Sequence, residues 1–274
     1  VTGATVVGVD FSGAARAGRA TWVARALDDG ERLLIQDLRC AADLPGGALD
    51  REPAHRALVA WLLDIRPAMV GFDFPFGMPR DLVAEDEWRS WLEAFAGAHE
   101  SAEAFREDCR VRAAGKEWRR RTDREARTPM CVYNLRLYRQ TWHGLRDVVT
   151  PLVRAGARAM PMQAHEASPG DTLLVETCPA SLLKASAMPT VYKGRTPAHA
   201  DARRRIAGWM ASARGVSWGS RRMRALAIDD PGGDALDAAL CASSGAVARR
   251  AGLGAFRRDA LDEDARLEAR VYFG

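Results

Sequence analysis

Three carboxylate positions in this chain share one setting: an apolar run that ends in an acid. Val6-Val7-Gly8-Val9 leads into Asp10, Met69-Val70-Gly71-Phe72 into Asp73, and Leu173-Leu174-Val175 into Glu176. A later stretch with helical character, Asp234-Ala235-Leu236-Asp237-Ala238-Ala239-Leu240, adds Asp234 and Asp237. A carboxylate at the end of a buried strand loses solvation unless a positive group meets it, and several converging carboxylates repel one another. A divalent metal removes that repulsion and supplies chemistry as well. Any one of these acids reads equally well as a cap for the loop that follows it. The repetition of the pattern is what favours a shared site.

An all-oxygen set selects a hard cation, so Mg2+ or Mn2+ is expected, and the absence of nearby His or Cys disfavours zinc. Two such ions would clamp a phosphodiester, one activating water and the other stabilising the leaving oxygen. A protein nucleophile has weaker support. Cys178, for one, has no evident histidine partner. The histidines are isolated, so each reads as a packed or surface residue rather than a ligand.

The elements that must position the acids follow from pattern. Residues 4–10, 69–74 and 172–176 read as buried strands of a mixed or parallel sheet. Residues 19–27 and 31–38 flank Asp28-Asp29-Gly30, a hairpin signal, so the chain opens with a three-stranded meander. Leu58, Trp61, Leu62 and Ile65 share one face of a helix over 51–65, which Pro67 ends. The strand after it is then parallel to the first. Phe74-Pro75-Phe76-Gly77-Met78-Pro79 makes a rigid loop directly after Asp73. Residues 80–165 lose strand character and read as a helical insertion within a single domain spanning 1–274. Cys178-Pro179 starts a short helix, residues 200–213 form a basic helix, and Pro231-Gly232-Gly233 introduces the last major helix, 234–249. Asp234 and Asp237 are three apart, so that helix shows both on one face while Leu236 and Leu240 pack on the sheet.

Composition sets the limits. The chain has 274 residues, 47% of them hydrophobic and 28% charged, enough for one large domain with a sizeable core. A net charge of +4 is compatible with a polyanionic partner. The five cysteines are scattered without a C-x-x-C pair, which argues against a disulfide framework or a structural zinc and suits a reducing cytoplasm. No signal-peptide pattern and no apolar stretch of roughly 20 residues is present, so no membrane association is expected.

The order β-β-β-α-β, then a parallel strand and a closing helix, matches the ribonuclease H-like fold: an α/β mixed five-stranded sheet flanked by helices. Six motifs in order extend the likeness. They are Val7-Gly8-Val9-Asp10-Phe11-Ser12-Gly13-Ala14, Val70-Gly71-Phe72-Asp73-Phe74-Pro75-Phe76-Gly77-Met78-Pro79, Val175-Glu176-Thr177-Cys178-Pro179, Tyr192-Lys193-Gly194, Asp234-Ala235-Leu236-Asp237-Ala238 and Glu268-Ala269-Arg270-Val271-Tyr272. Together they resemble the ribonuclease H-like family grouped as domain of unknown function 429 (DUF429), for which a metal-dependent nuclease activity is inferred. The resemblance implies an acidic site of Asp10, Asp73, Glu176 and either Asp234 or Asp237. Of these, Asp10, Asp73, Glu176 and Asp237 are the expected metal ligands. Two positions depart from the family pattern: Ala180, where an acid often follows the proline, and Ala269, where glycine is usual.

Ser12, Lys193 and Arg124 are the candidate substrate-binding residues, for a nucleic acid or nucleotide. Lys193 could hold a phosphate as a point charge. Arg119, Arg120, Arg121, Arg124 and Arg127 form a basic run between Trp118 and Tyr133, suited to a nucleic-acid groove but equally to a solvated helix face. Thr122, Asp123 and Arg124 would line the site if the insertion folds over it. Two alternatives to the nuclease remain. One is a phosphotransferase or ATPase of the sugar kinase and actin-like type, with Gly8-Val9-Asp10-Phe11-Ser12-Gly13 as a phosphate loop. The other is a non-catalytic nucleic-acid-binding module.

Overall fold

The computed structural model describes residues 3–274. Seven strands form one mixed sheet: β1 (Ala4–Asp10), β2 (Trp22–Asp28), β3 (Leu33–Cys40), β4 (Met69–Phe72), β5 (Arg158–Met160), β6 (Leu173–Glu176) and β7 (Val216–Trp218). Their order across the sheet is β5-β6-β4-β1-β2-β3-β7. The meander β1-β2-β3 is antiparallel, turning at Asp28-Asp29-Gly30, where Gly30 adopts a φ of +103°. After helix Arg51–Asp64 crosses over, β4 runs parallel to β1, and β6 and β5 continue in parallel.

The two faces of the sheet are covered by different parts of the chain. Val7, Val9, Val70, Phe72 and Leu174 point toward Leu58, Leu62, Leu145 and Val149, so helix Arg51–Asp64 and the insertion close one side. Val6, Met69 and Val175 point the other way, onto Leu236, Leu240, Ile206 and Met210 of helices Asp234–Asp259 and Pro197–Ala213. On that second side the long helix lies directly on the strands. A Cβ on Gly8 would sit 2.0 Å from the Ala238 carbonyl oxygen, and one on Gly71 2.7 Å from that of Cys241. Glycine at both positions is therefore a packing requirement, and it brings the start of the helix against the ends of β1 and β4.

The structure departs from the sequence expectations at three places. The sheet has seven strands rather than five, because β5 and β7 add one three-residue strand at each edge. Three residues are too few to show an alternating pattern. β5 also lies inside 80–165, a segment otherwise made of helices such as Trp88–Ala98, Ala102–Arg112 and Tyr138–His143. The last major helix runs on to Asp259 rather than stopping near 249, through a break at Gly252, whose φ is +75°. No helix among the described residues is long and apolar enough to cross a membrane.

Candidate functional site

Strand register decides which acids meet. Val9 of β1, Phe72 of β4 and Glu176 of β6 lie in one row across the sheet. Asp10 and Asp73 are each one residue further along. Because side chains alternate faces with a period of two, Asp10 and Asp73 fall on the side of the long helix. Glu176 falls on the opposite side, with Leu174, facing the insertion. Asp237, in the first turn of helix Asp234–Asp259, points at the same spot as Asp10 and Asp73. Carboxylate oxygens of Asp10, Asp73 and Asp237 all lie within 4.8 Å of one another.

These three acids are poorly compensated. Asp10 is only 6% exposed and Asp237 only 2%. Lys193 Nζ lies 2.8 Å from Asp237 Oδ2 and 3.3 Å from Asp234 Oδ1, and the Tyr192 hydroxyl donates to Asp237 Oδ1 at 2.5 Å. One ammonium thus faces four carboxylates. Burial, and then the neighbouring Asp237 charge, push the Asp10 carboxyl well above the usual range. The same two causes push Asp73 up to about 7. Burial raises Asp237 as well, against the pull of Lys193. Lys193 loses solvation too, but Asp237 and Asp10 more than offset that and hold it charged. The donor set is all carboxylate oxygen, buried and short of positive charge, and this fits a hard divalent cation.

Glu176 does not join the triad. Its carboxylate receives Arg120 Nη1 at 2.8 Å on Oε2 and Arg120 Nη2 on Oε1, and the Phe76 N–H donates to Oε2 at 2.8 Å. Arg120 is fully buried and also donates from Nη2 to Asp123 Oδ1 at 2.7 Å and from Nη1 to the Glu268 carbonyl at 2.8 Å. Glu268 accepts in turn from the backbone N–H groups of Arg80 and Arg121, at 2.9 and 2.7 Å. This chain of bonds pins the insertion to the sheet beside the acids.

The remaining expected residues divide. A cleft of about 400 Å3 holds Asp10, Ser12, Asp73, Glu176, Lys193, Asp234 and Asp237 together, and Arg120 and Asp123 of the insertion line it as well. Arg124 is exposed and does not line it. Ser12 Oγ accepts from the Ala14 N–H at 3.3 Å. Asp234 borders the cleft through Lys193 and stands outside the carboxylate triad. The loop carrying Tyr192 and Lys193 is held by Arg203, whose Nη1 donates to the carbonyls of Tyr192 (2.6 Å) and Gly194 (3.0 Å). Cys178 lines the cleft, but burial pushes its thiol up to about 12, so it is no thiolate nucleophile at neutral pH.

Sequence reading missed the roles of Arg120, Tyr192 and Glu268. Nothing separates Arg120 from the four other arginines of its run. Tyr192 and Glu268 stood inside motifs without an assigned task. Comparison with protein families, curated proteins and solved structures finds no match to this chain.

Proposed function

We propose that this chain is a metal-dependent nuclease that hydrolyses phosphodiester bonds in the cleft above Asp10, Asp73 and Asp237. The observation that carries this reading is the three carboxylates, two buried and Asp73 half-buried, within 4.8 Å of one another, with a single lysine to balance them. The strand order supports it: β3-β2-β1-β4-β6, with an antiparallel meander and then parallel strands, is the arrangement expected of a ribonuclease H-like sheet. Asp10, Asp73 and Asp237 would hold Mg2+ or Mn2+. Bound there, such a cation supplies an activated water and neutralises charge on the phosphate oxygens.

The chain's own residues do the rest. Tyr192 fixes the rotamer of Asp237 and leaves its second oxygen to Lys193. Lys193 keeps its proton and serves as a donor and a positive charge, not as a base. Phe11, Phe74, Pro129, Met130 and Leu137 give the cleft an apolar wall that limits water. The phosphate-loop alternative finds less support. The Ser12 N–H is taken by Thr21 Oγ1 at 3.1 Å and the Ala14 N–H by Ser12 Oγ. A Cβ on Gly13 would lie 2.4 Å from the Arg139 carbonyl oxygen, so protein backbone fills the space a phosphate would need.

The test is cleavage of single-stranded DNA and RNA oligonucleotides with Mn2+, by wild-type protein and by Asp237→Asn. Cleavage by the wild type that disappears in the variant is expected. Cleavage that persists in Asp237→Asn would overturn the assignment.

A further inference from the structure

A second group of ligating side chains lies behind the loop that follows Asp10. His55, from helix Arg51–Asp64, meets His143 and Asp147 of the insertion, and one ligand atom from each lies within 4.8 Å of the other two. His143 Nδ1 is 2.7 Å from Asp147 Oδ2, and His55 Nδ1 is 3.4 Å from the same oxygen. Both rings are buried, at 2% and 5% exposure.

In its neutral form, His55 has one ring nitrogen free to act as a ligand. His55 Nε2 is 3.1 Å from the Ser12 carbonyl oxygen. A carbonyl only accepts, so Nε2 carries the proton, and in the neutral ring Nδ1 is a bare lone pair. That lone pair faces a carboxylate oxygen, another acceptor, and the Nδ1 proton of His143 is already directed at the same oxygen. A second proton on the His55 ring would let Nδ1 donate to the carboxylate, and a metal cation among the three atoms satisfies the same lone pairs. A ring nitrogen turned to a metal while the other donates to a backbone carbonyl is the usual outer-shell arrangement of a ligating histidine.

Two further features fit. The 144–149 segment is a π-helical turn, a distortion that recurs at functional sites, and Asp147 lies within it. The neighbouring arginines leave the ligand atoms free. Arg146 approaches Asp147 on Oδ1, at 3.8 Å, and lies over the Trp142 ring, while Arg51 Nη1 donates to the Gly13 carbonyl at 3.1 Å. His143 also lines a surface cavity of about 540 Å3.

We propose that His55 Nδ1, His143 Nδ1 and Asp147 Oδ2 form a second metal site, for a borderline cation of the zinc class. The mixed nitrogen and oxygen set matches that class rather than magnesium, and water completes a tetrahedral shell. On binding, the proton on His143 Nδ1 moves to Nε2 through solvent, and the ring and Asp147 separate to make room for bonds of about 2.0–2.2 Å. Through the Nε2 bond to Ser12, the site fixes the loop next to Asp10. It does not depend on the nuclease reading.

Cobalt titration in excess magnesium tests it, because tetrahedral Co2+ with nitrogen ligands absorbs far more strongly in the visible than Co2+ in an all-oxygen octahedral shell. Wild-type protein is expected to bind one Co2+ with the strong band, and Asp237→Asn to keep it. His143→Ala and Asp147→Asn are expected to lose affinity by about 100-fold or more, since loss of even an outer-shell partner weakens binding about 10- to 100-fold. A wild type without the band, a band that survives His143→Ala, or one lost with Asp237→Asn would each overturn the site. X-ray absorption of zinc-loaded wild-type protein needs no variant: histidine scattering is expected, and an all-oxygen shell refutes the proposal.

Discussion

Asp73→Asn should make the metal-free protein more stable at neutral and alkaline pH. The Asp73 carboxyl titrates at about 7 in the fold against a usual 3.8, because it is buried and faces Asp237. A raised carboxyl means that the folded state binds more protons than the unfolded state between those values. Stability therefore falls as pH rises from about 4 to about 7 and levels off above that. A carboxyl raised from 3.8 to about 7, at roughly 1.4 kcal/mol per tenfold change in proton affinity, sets an upper bound of about 4 kcal/mol lost at pH 8. The three carboxylates share one repulsion, so removing one charge also relieves Asp10 and Asp237, and we expect a gain of about 2–4 kcal/mol. For a chain of this size that is a rise in Tm of roughly 4–8 °C. Thermal unfolding with chelator at pH 5 and pH 8 measures it. The wild type should be less stable at pH 8 than at pH 5, and the variant's advantage should appear mainly at pH 8. Adding Mg2+ at pH 8 should raise the wild-type Tm and raise that of Asp73→Asn much less. A flat wild-type profile together with a destabilised Asp73→Asn at pH 8 would refute the electrostatic reasoning.

Other substitutions probe the frame around the acids. Arg120→Met would leave Asp123 and Glu176 buried without their cation, and should cost about 3–5 kcal/mol in equilibrium denaturation; a loss below about 1 kcal/mol would contradict the role given to this arginine. Ala269 holds a φ of +66° with ψ at −177°, a region nearly restricted to glycine. Ala269→Gly should therefore stabilise by about 1 kcal/mol net, after losing one buried methyl group, and a lower Tm would count against backbone strain there. Gly8→Ala would place a methyl group 2.0 Å from the Ala238 carbonyl oxygen and should abolish soluble folded protein or lower stability by about 3 kcal/mol or more. A well-folded Gly8→Ala variant would mean that the long helix can shift off the sheet.

Much of the frame was legible in sequence because its signals are local. Apolar runs marked β1, β4 and β6, Asp29-Gly30 marked the hairpin, and Pro179 marked a helix start. The edge strands β5 and β7 were not legible, since their pairing comes from the sheet they join and not from their own three residues. Among the acids, the strand-end pattern picked out Asp10 and Asp73 but could not show the phase of Glu176. One residue of register turns that side chain to the other face, where Arg120 meets it. Pairing positions are a property of the folded sheet, so the phase was hidden. Asp234 and Asp237 looked equivalent at a spacing of three, and only the seating of the helix on β1 and β4 separates them. His55 and His143 looked isolated because helix Arg51–Asp64 and the insertion, distant in sequence, bring them together.

Calorimetric titration of Mn2+ into wild-type protein and Asp10→Asn at neutral pH tests the central claim most directly. The account predicts binding to the wild type that is lost or greatly weakened in Asp10→Asn while the variant stays folded. Equal binding by the two proteins, or no binding by the wild type, would contradict a metal centre on Asp10, Asp73 and Asp237.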